Sequence, residues 1–348
     1  MKPVTLREVA ELANVSISTV SRVIRDYEYI GDETKKKVQE AIDKLNYQPN
    51  NAARRLKYGR SYAIGFIMPD VSNPFFSNAL KAAYNYIQES EYSNYEILFY
   101  NTDGKPDREK KAIDFFVARR MEGIIIASSA SKLIIEHLRH ILNNHNISIV
   151  AMDNQLGDLD IDLVTSDNFL GAYRLTKHLI DLGHKSIAVI SGPPNESSSK
   201  ERMDGFKAAL KDHGIEFDEH MSVTGDWTQP SGLSATNQLF SKGKKPTAIF
   251  GFNNSMGLGA LNALKNHNLK VPDDIALVAF DDVEYGDLLN PSLTCTNTSW
   301  YELGRLSASL LLDRIAHGNS KPKQLIKLPL QVIIRESCGY RKFKYGKN

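Results

Sequence analysis

The sequence predicts two architectures in one chain: a small N-terminal all-α domain of helix-turn-helix type, and an α/β domain of two subdomains with parallel sheets. Three observations carry this. Within residues 5–45, helix-capping residues and apolar stripes at helical spacing occur three times. Beyond residue 60, short and uniformly apolar runs recur, each closed by a polar cluster, in the manner of buried parallel strands. Finally, 348 residues exceed what one hydrophobic core organises. A composition of 42% hydrophobic and 24% charged residues excludes a disordered or fibrous chain.

The first helix is expected to start at Leu6. Thr5 and Glu8 have capping-box spacing, and Leu6, Val9, Ala10 and Ala13 form one apolar face. Asn14 tolerates a left-handed turn, and Ser16 can cap a second helix through Ile17, Val20, Val23 and Ile24. Asp32 is the expected cap of a third, with Val38, Ala41, Ile42 and Leu45 as its stripe. The expected strands cover 63–68, 97–100 and 123–127 in one series, and 187–190, 248–251 and 275–280 in another. Their polar clusters fall at strand C-termini, where open α/β sheets bind ligands.

The net charge of +2 hides an asymmetry. Residues 1–60 hold twelve Lys and Arg against eight Asp and Glu, whereas residues 61–339 hold 27 against 33. A basic arm on an acidic body suits a polyanion-binding module attached to a domain that binds something else. The N-terminus lacks the apolar stretch of a secretory signal and no run of about 18 apolar residues occurs, so a cytoplasmic protein without a membrane segment is expected. Cys295 and Cys338 lie far apart without a CxxC partner, which leaves buried thiols as the expectation rather than a disulfide or a metal site.

The runs Thr5-Leu6-Arg7-Glu8-Val9-Ala10 and Val15-Ser16-Ile17-Ser18-Thr19-Val20-Ser21-Arg22-Val23 closely resemble the LacI/GalR family of bacterial repressors. The similarity continues through Leu45-Asn46-Tyr47-Gln48-Pro49-Asn50 and Ala53-Arg54-Arg55-Leu56-Lys57, and it extends to about Gly339. It implies a helix-turn-helix domain over 1–49, a hinge helix and linker over 50–60, and a periplasmic-binding-protein-like domain over 61–340, with a basic tail over 341–348. From it, subdomain one is placed at 61–161 with 293–321, and subdomain two at 162–292 with 322–340, giving three crossings between them.

A recognition helix enters the major groove by its N-terminal end, which places Ile17 and Ser18 at base edges and Arg22 one turn further on. Arg22 suits bidentate contact with a guanine, and Ile17 suits a thymine methyl. Thr5, Ser16, Thr19 and Ser21 are candidates for phosphate contacts, which position without specifying. In the hinge, Asn50, Ala53 and Arg54 belong to the expected DNA surface. By resemblance Leu56 is the residue that wedges into the minor groove, where unstacking costs a few kcal/mol but bends the duplex toward the protein. Two-fold half-site geometry implies a homodimer on a near-palindromic operator.

For the ligand, Asn73, Phe75 and Phe76 follow the first strand and offer an amide and two ring faces, one of which is expected to pack in the core. Asp153, Arg202, Asn253 and Asp281 match positions that contact effector hydroxyls in the family, and Trp227 matches an aromatic lid. Two departures stand out: Asn253-Asn254 where the family often has Asn-Asp, and Glu196 where purine-responsive members carry Arg. Together these residues point to a small neutral sugar, since a phosphate would want a second fixed cation. A phosphorylated sugar or nucleobase is the alternative.

The rival classes are an α/β enzyme and a transport-type solute-binding protein. Gly257-Leu258-Gly259-Ala260-Leu261-Asn262 lacks the third glycine of a dinucleotide loop, and neither a Walker A loop nor a Gly-x-Ser-x-Gly elbow occurs. His137 and His140 have no third ligand candidate nearby. Neither catalysis, a cofactor nor a metal is therefore expected. A transport protein would share the cleft but would need export and no DNA-reading helices.

Overall fold

The computed structural model describes residues 4–24, 30–47, 60–241, 243, 245–318 and 321–340. The chain divides into two compact units, Met1–Ser61 and Tyr62–Asn348.

In the first unit, α1 (Leu6–Ala13) begins with the capping box: Thr5 Oγ1 accepts from Glu8 N at 3.4 Å, and Glu8 Oε2 accepts from Thr5 N at 2.6 Å. Asn14 closes the helix in the left-handed region at φ +50°. Ser16 then caps α2 (Ile17–Val23), its Oγ accepting from Thr19 N at 3.0 Å. The cap of the third helix, α3 (Asp32–Leu45), falls one residue earlier than expected: Gly31 occupies the N-cap, with no side-chain cap bond. Asp32 is thus the first helical residue, and with Glu33 it places negative charge in the first turn, where the helix dipole favours it. Val9, Ala10, Ala13, Val20, Val38, Ala41 and Tyr47 form the core of this unit.

The second unit runs β1 (Ala63–Met68), α4 (Pro74–Glu89), β2 (Glu96–Asn101), α5 (Pro106–Ala118), β3 (Gly123–Ile126), α6 (Lys132–Asn144), β4 (Ser148–Met152), β5 (Asp162–Ser166) and α7 (Asn168–Asp181). It continues with β6 (Ile187–Ser191), α8 (Ser197–Asp212), β7 (Ser222–Thr224), α9 (Gln229–Ser241), β8 (Ala248–Gly251), α10 (Asn254–Asn266), β9 (Ala276–Ala279), β10 (Thr294–Asn297), α11 (Trp300–His317), β11 (Leu325–Leu328) and β12 (Gln331–Ile333). One sheet has the order β11-β5-β4-β3-β1-β2 and the other β12-β10-β9-β8-β6-β7. All pairings are parallel except β10 with β12. Strands β1, β3, β6, β8 and β9 are buried throughout, as helices on both faces require.

Sheet membership corrects the subdomain boundaries at 162, 293 and 322. Strands β5 and β11 belong to the first sheet and β10 to the second, so the chain crosses after β5, after β10, and between β11 and β12. Chemistry fixes β11 against β5. Arg314, buried on α11, donates two 2.8 Å hydrogen bonds to the carboxylate of buried Asp162, and two more at 2.7 Å to the Lys321 and Pro322 carbonyls. Asp162 Oδ1 also accepts from Gln324 N at 2.8 Å. That pair holds the segment entering β11 beside the start of β5. Among the described residues no helix is long and apolar enough to cross a membrane, and no cluster of His, Cys, Asp and Glu is arranged to hold a metal. Cys295 and Cys338 are buried thiols.

Candidate functional site

In the first unit, packing sets what is presented. Val20 turns into the core while Ile17, Ser18 and Arg22 remain exposed, with 47% of the Ile17 surface open. The cap of α2 is a hydroxyl cluster: Ser16 Oγ lies 2.6 Å from Ser18 Oγ and 2.8 Å from Thr19 Oγ1. These hydroxyls are therefore ordered before any partner arrives. Ser21 is half-buried, and Thr5 is engaged in its capping box. The hinge candidates Asn50, Ala53, Arg54 and Leu56 lie outside the described residues.

In the second unit, the ends of the strands enclose a cavity of about 510 Å³ between the two sheets. All eight expected ligand residues, Asn73, Phe75, Phe76, Asp153, Arg202, Trp227, Asn253 and Asp281, stand on its wall. They do not play equal parts. Phe75 is buried in the core and meets Phe76 edge-on at 4.8 Å, leaving the half-buried Phe76 as the better ring face. Asn73 caps α4, accepting from Phe75 N at 3.0 Å. Asn253 caps α10 through Met256 N at 2.8 Å, and its amide nitrogen donates to the Trp227 carbonyl at 2.8 Å, so both ends of that side chain serve the fold.

Arg202 is almost fully buried, and its charge is already answered. It donates to Asn168 Oδ1 at 2.8 Å and to the Phe252 carbonyl, lies 3.5 Å from Asp281 Oδ2, and stacks 3.7 Å above the Phe280 ring. Asp281 also accepts from the Thr298 hydroxyl. Asp153 is different. It is held at φ +74°, and its Oδ1 is sealed from solvent without a hydrogen-bond partner. Burial pushes its pKa up to about 6, with Arg202 opposing the shift and Asp281 and Glu201 adding to it.

Sequence reasoning noticed Glu196 only as a departure and passed over Asn154. In the cleft they form a junction. Asn154 is buried at the end of β4; its Nδ2 donates to the Ser128 carbonyl at 3.2 Å and to Glu196 Oε2 at 3.0 Å, while its Oδ1 accepts from Ser198 N at 3.0 Å. Trp227 Nε1 donates to the same Glu196 oxygen at 2.9 Å. The Trp227 ring lies over Gly192, where a Cβ would come within 2.0 Å of it, so only glycine leaves room for the ring there. Burial, then the neighbouring Asp153, raises Glu196 to about 8, against the donors Trp227 and Asn154. The legible signal was the polar cluster after each strand, which includes Asn154; nothing in the pattern told which members would face one another.

A capped recognition helix in one unit, and two parallel-sheet subdomains around a polar cleft in the next, define a ligand-responsive DNA-binding regulator. Two family models match the chain: bacterial regulatory proteins of the lacI family over residues 5–50, and periplasmic binding proteins and sugar binding domain of LacI family over residues 61–336. The chain belongs to the LacI family and is a DNA-binding transcriptional repressor with an effector-binding domain. It is 32% identical to the HTH-type transcriptional repressor PurR of Mannheimia succiniciproducens over 96% of this chain and 98% of that protein. It is also 32% identical to the ribose operon repressor of Escherichia coli K12, covering 94% and 97%. Among solved structures, the lac repressor dimer bound to operator and the anti-inducer ONPF superposes with a TM-score of 0.83 at 28% identity, over 97% of this chain and 99% of that one. The two named relatives are repressors rather than enzymes.

Proposed function

We propose that this repressor binds a near-palindromic operator as a homodimer, with Ile17, Ser18 and Arg22 at base edges and Thr5, Ser16, Thr19 and Ser21 at phosphates. Its affinity for the operator is set by a small carbohydrate in the cleft. In this reading the protein works in the cytoplasm, with the DNA. The hinge residues Asn50, Ala53, Arg54 and Leu56 complete the DNA surface in this reading, by their likeness to the family pattern.

The observation that carries the carbohydrate reading is the division of labour in the cleft. Arg202 is consumed by Asn168, Phe252 and Asp281, so no uncommitted cation among the described residues of the wall awaits a phosphate, whereas the Asp153 carboxylate, on the same wall as Phe76 and Trp227, has an oxygen with no hydrogen-bond partner. A purine is the second reading, favoured by the likeness to PurR. The Glu at 196, where purine-responsive members carry Arg, speaks against it.

Calorimetry on the full chain tests this. Pentoses and hexoses are expected to bind, while ribose 5-phosphate, hypoxanthine and guanine give no heat. Binding of a sugar phosphate without its parent sugar, or of a purine alone, would overturn the carbohydrate reading. A gel shift with the upstream region of the protein's own operon, with and without the sugar that binds, tests the coupling to DNA.

A further inference from the structure

The cleft wall is acidic. Asp70, Asp103, Asp153, Glu196, Asp226 and Asp281 line it, against the guanidinium of Arg202. Four of these carboxylates are answered by the protein itself. Asp70 accepts from the Ser72 amide and hydroxyl, Asp103 pairs with Arg108, Asp226 accepts from the Thr228 amide and hydroxyl, and Asp281 takes Thr298 and Arg202.

The remaining two differ from these: Asp153 Oδ1 is buried and takes no side-chain donor, and Glu196, though it takes two donors, is buried where Asp70 and Asp226 reach solvent. Glu196, only 9% exposed, spends Oε2 on both Asn154 and Trp227, which leaves Oε1 to the cavity. Close enough to Glu196 to act on its charge, Glu109 of α5 is 1% exposed; its Oε2 takes the Ser129 hydroxyl and amide, and its Oε1 is a second buried oxygen without a partner. The cavity wall therefore gathers carboxyl groups at Asp153 and Glu196, while Arg202, the one basic side chain among its described residues, is engaged elsewhere.

We propose that the effector is an amine-bearing sugar, its ammonium group seated against Asp153 and Glu196, and that Glu196 is the residue selecting it over the uncharged parent. A neutral hydroxyl donates one hydrogen bond and leaves the cost of ionising Glu196 beside Asp153 unrelieved. An ammonium donates three, accepts none, and cancels charge that burial makes expensive. The ring then lies against Phe76 and Trp227, with its remaining hydroxyls toward Asn73 and Asp281. This departs from the neutral sugar expected from the sequence, and it rests on the cleft being a carbohydrate site.

The test is calorimetry on the full chain with three matched pairs: D-glucosamine and D-glucose, D-galactosamine and D-galactose, D-mannosamine and D-mannose. In at least one pair the amine is expected to bind about tenfold more tightly than its parent. Glu196→Gln, which keeps an acceptor for Trp227 and Asn154, is expected to erase that preference while the parent sugar still binds; its thermal melt verifies folding. Parents that bind as tightly as their amines, a preference that survives Glu196→Gln, or no binding by any of the six would each overturn the assignment. The carbohydrate reading itself falls only if pentoses, other hexoses and disaccharides also fail to bind.

Discussion

Until an ammonium group is seated beside it, Glu196 holds its proton at neutral pH because its carboxyl has left water for a wall it shares with Asp153, with Glu109 adding to the effect. The carboxyl ionises near 4.5 in the unfolded chain and at about 8 in the native one, so between those values the native state binds the extra proton. Its contribution to stability is complete below about pH 4.5 and lost as pH rises through 8. Glu196→Gln, neutral throughout, should therefore flatten the fall in melting temperature between pH 6 and 8.5; parallel curves for the two proteins would show that the proton resides elsewhere. At the other end of the chain, Arg22→Ala should cost about 1 to 3 kcal/mol of operator affinity and much less on random DNA. Equal losses in a competition gel shift would assign Arg22 to phosphate. Arg22, Arg202 and Asp281 were legible in sequence because each sits in a motif or at a strand end. The pairing of Asn154 with Glu196 was not, since it depends on how two separate strand ends meet.

Helices and strands repeat the lesson at the next scale. Uniformly apolar strands such as β3 and β8 announce themselves, but β5, though buried throughout, carries Asp162, Thr165 and Ser166 among its five residues, and β11 alternates exposed Leu325 and Lys327 with half-buried neighbours, a pattern of edge position. That is why the boundaries drawn from sequence missed both. The ion pair that docks them makes a sharp test. Arg314→Met should destabilise by about 3 to 5 kcal/mol because it strands a buried carboxylate, and the double variant Arg314→Met with Asp162→Leu should recover most of that loss. Urea unfolding of both would decide, and a double variant no better than the single would show that the backbone carbonyls need the guanidinium more than Asp162 does. Close helix packing gives a second test. A Cβ on Gly304 of α11 would lie 2.0 Å from the Ala79 carbonyl of α4, so Gly304→Ala should cost on the order of 3 kcal/mol in the same assay.

Across the whole effector-binding unit, contacts bridge the two subdomains at several points around the cleft. Asn154 bonds Glu196 and Ser198, Gln155 N donates to Ser197 Oγ at 2.8 Å, Asn195 donates to the Ser129 carbonyl at 3.1 Å, and Lys327 pairs with Glu201 at 2.9 Å. Because Asn154 supplies more of these bonds than any of the others named, Asn154→Ala should speed hydrogen exchange at the Gln155 and Ser198 amides while the amides of β3 and β8 keep their protection. Unchanged exchange at both amides would show that the remaining bridges suffice. The two-sheet plan with three crossings was readable from the alternation of strands and helices together with the family likeness. Which residues face each other across the cleft follows from the relative placement of the sheets, which no local pattern encodes.

Those crossings also govern how the molecule can be made. When synthesis has passed β10, the strands β1–β5 are complete, yet α11, which packs on β3, β4 and β5, and the edge strand β11 have still to be translated. The first subdomain must wait on the ribosome with an uncovered apolar sheet face, and the second must wait longer still for β12. Apolar surface of the kind chaperones recognise therefore stays uncovered until β12 is made. A premature stop shortly before Leu325 would therefore take an edge strand from each sheet at once, disabling ligand reading and leaving a DNA-binding head with nothing to govern it.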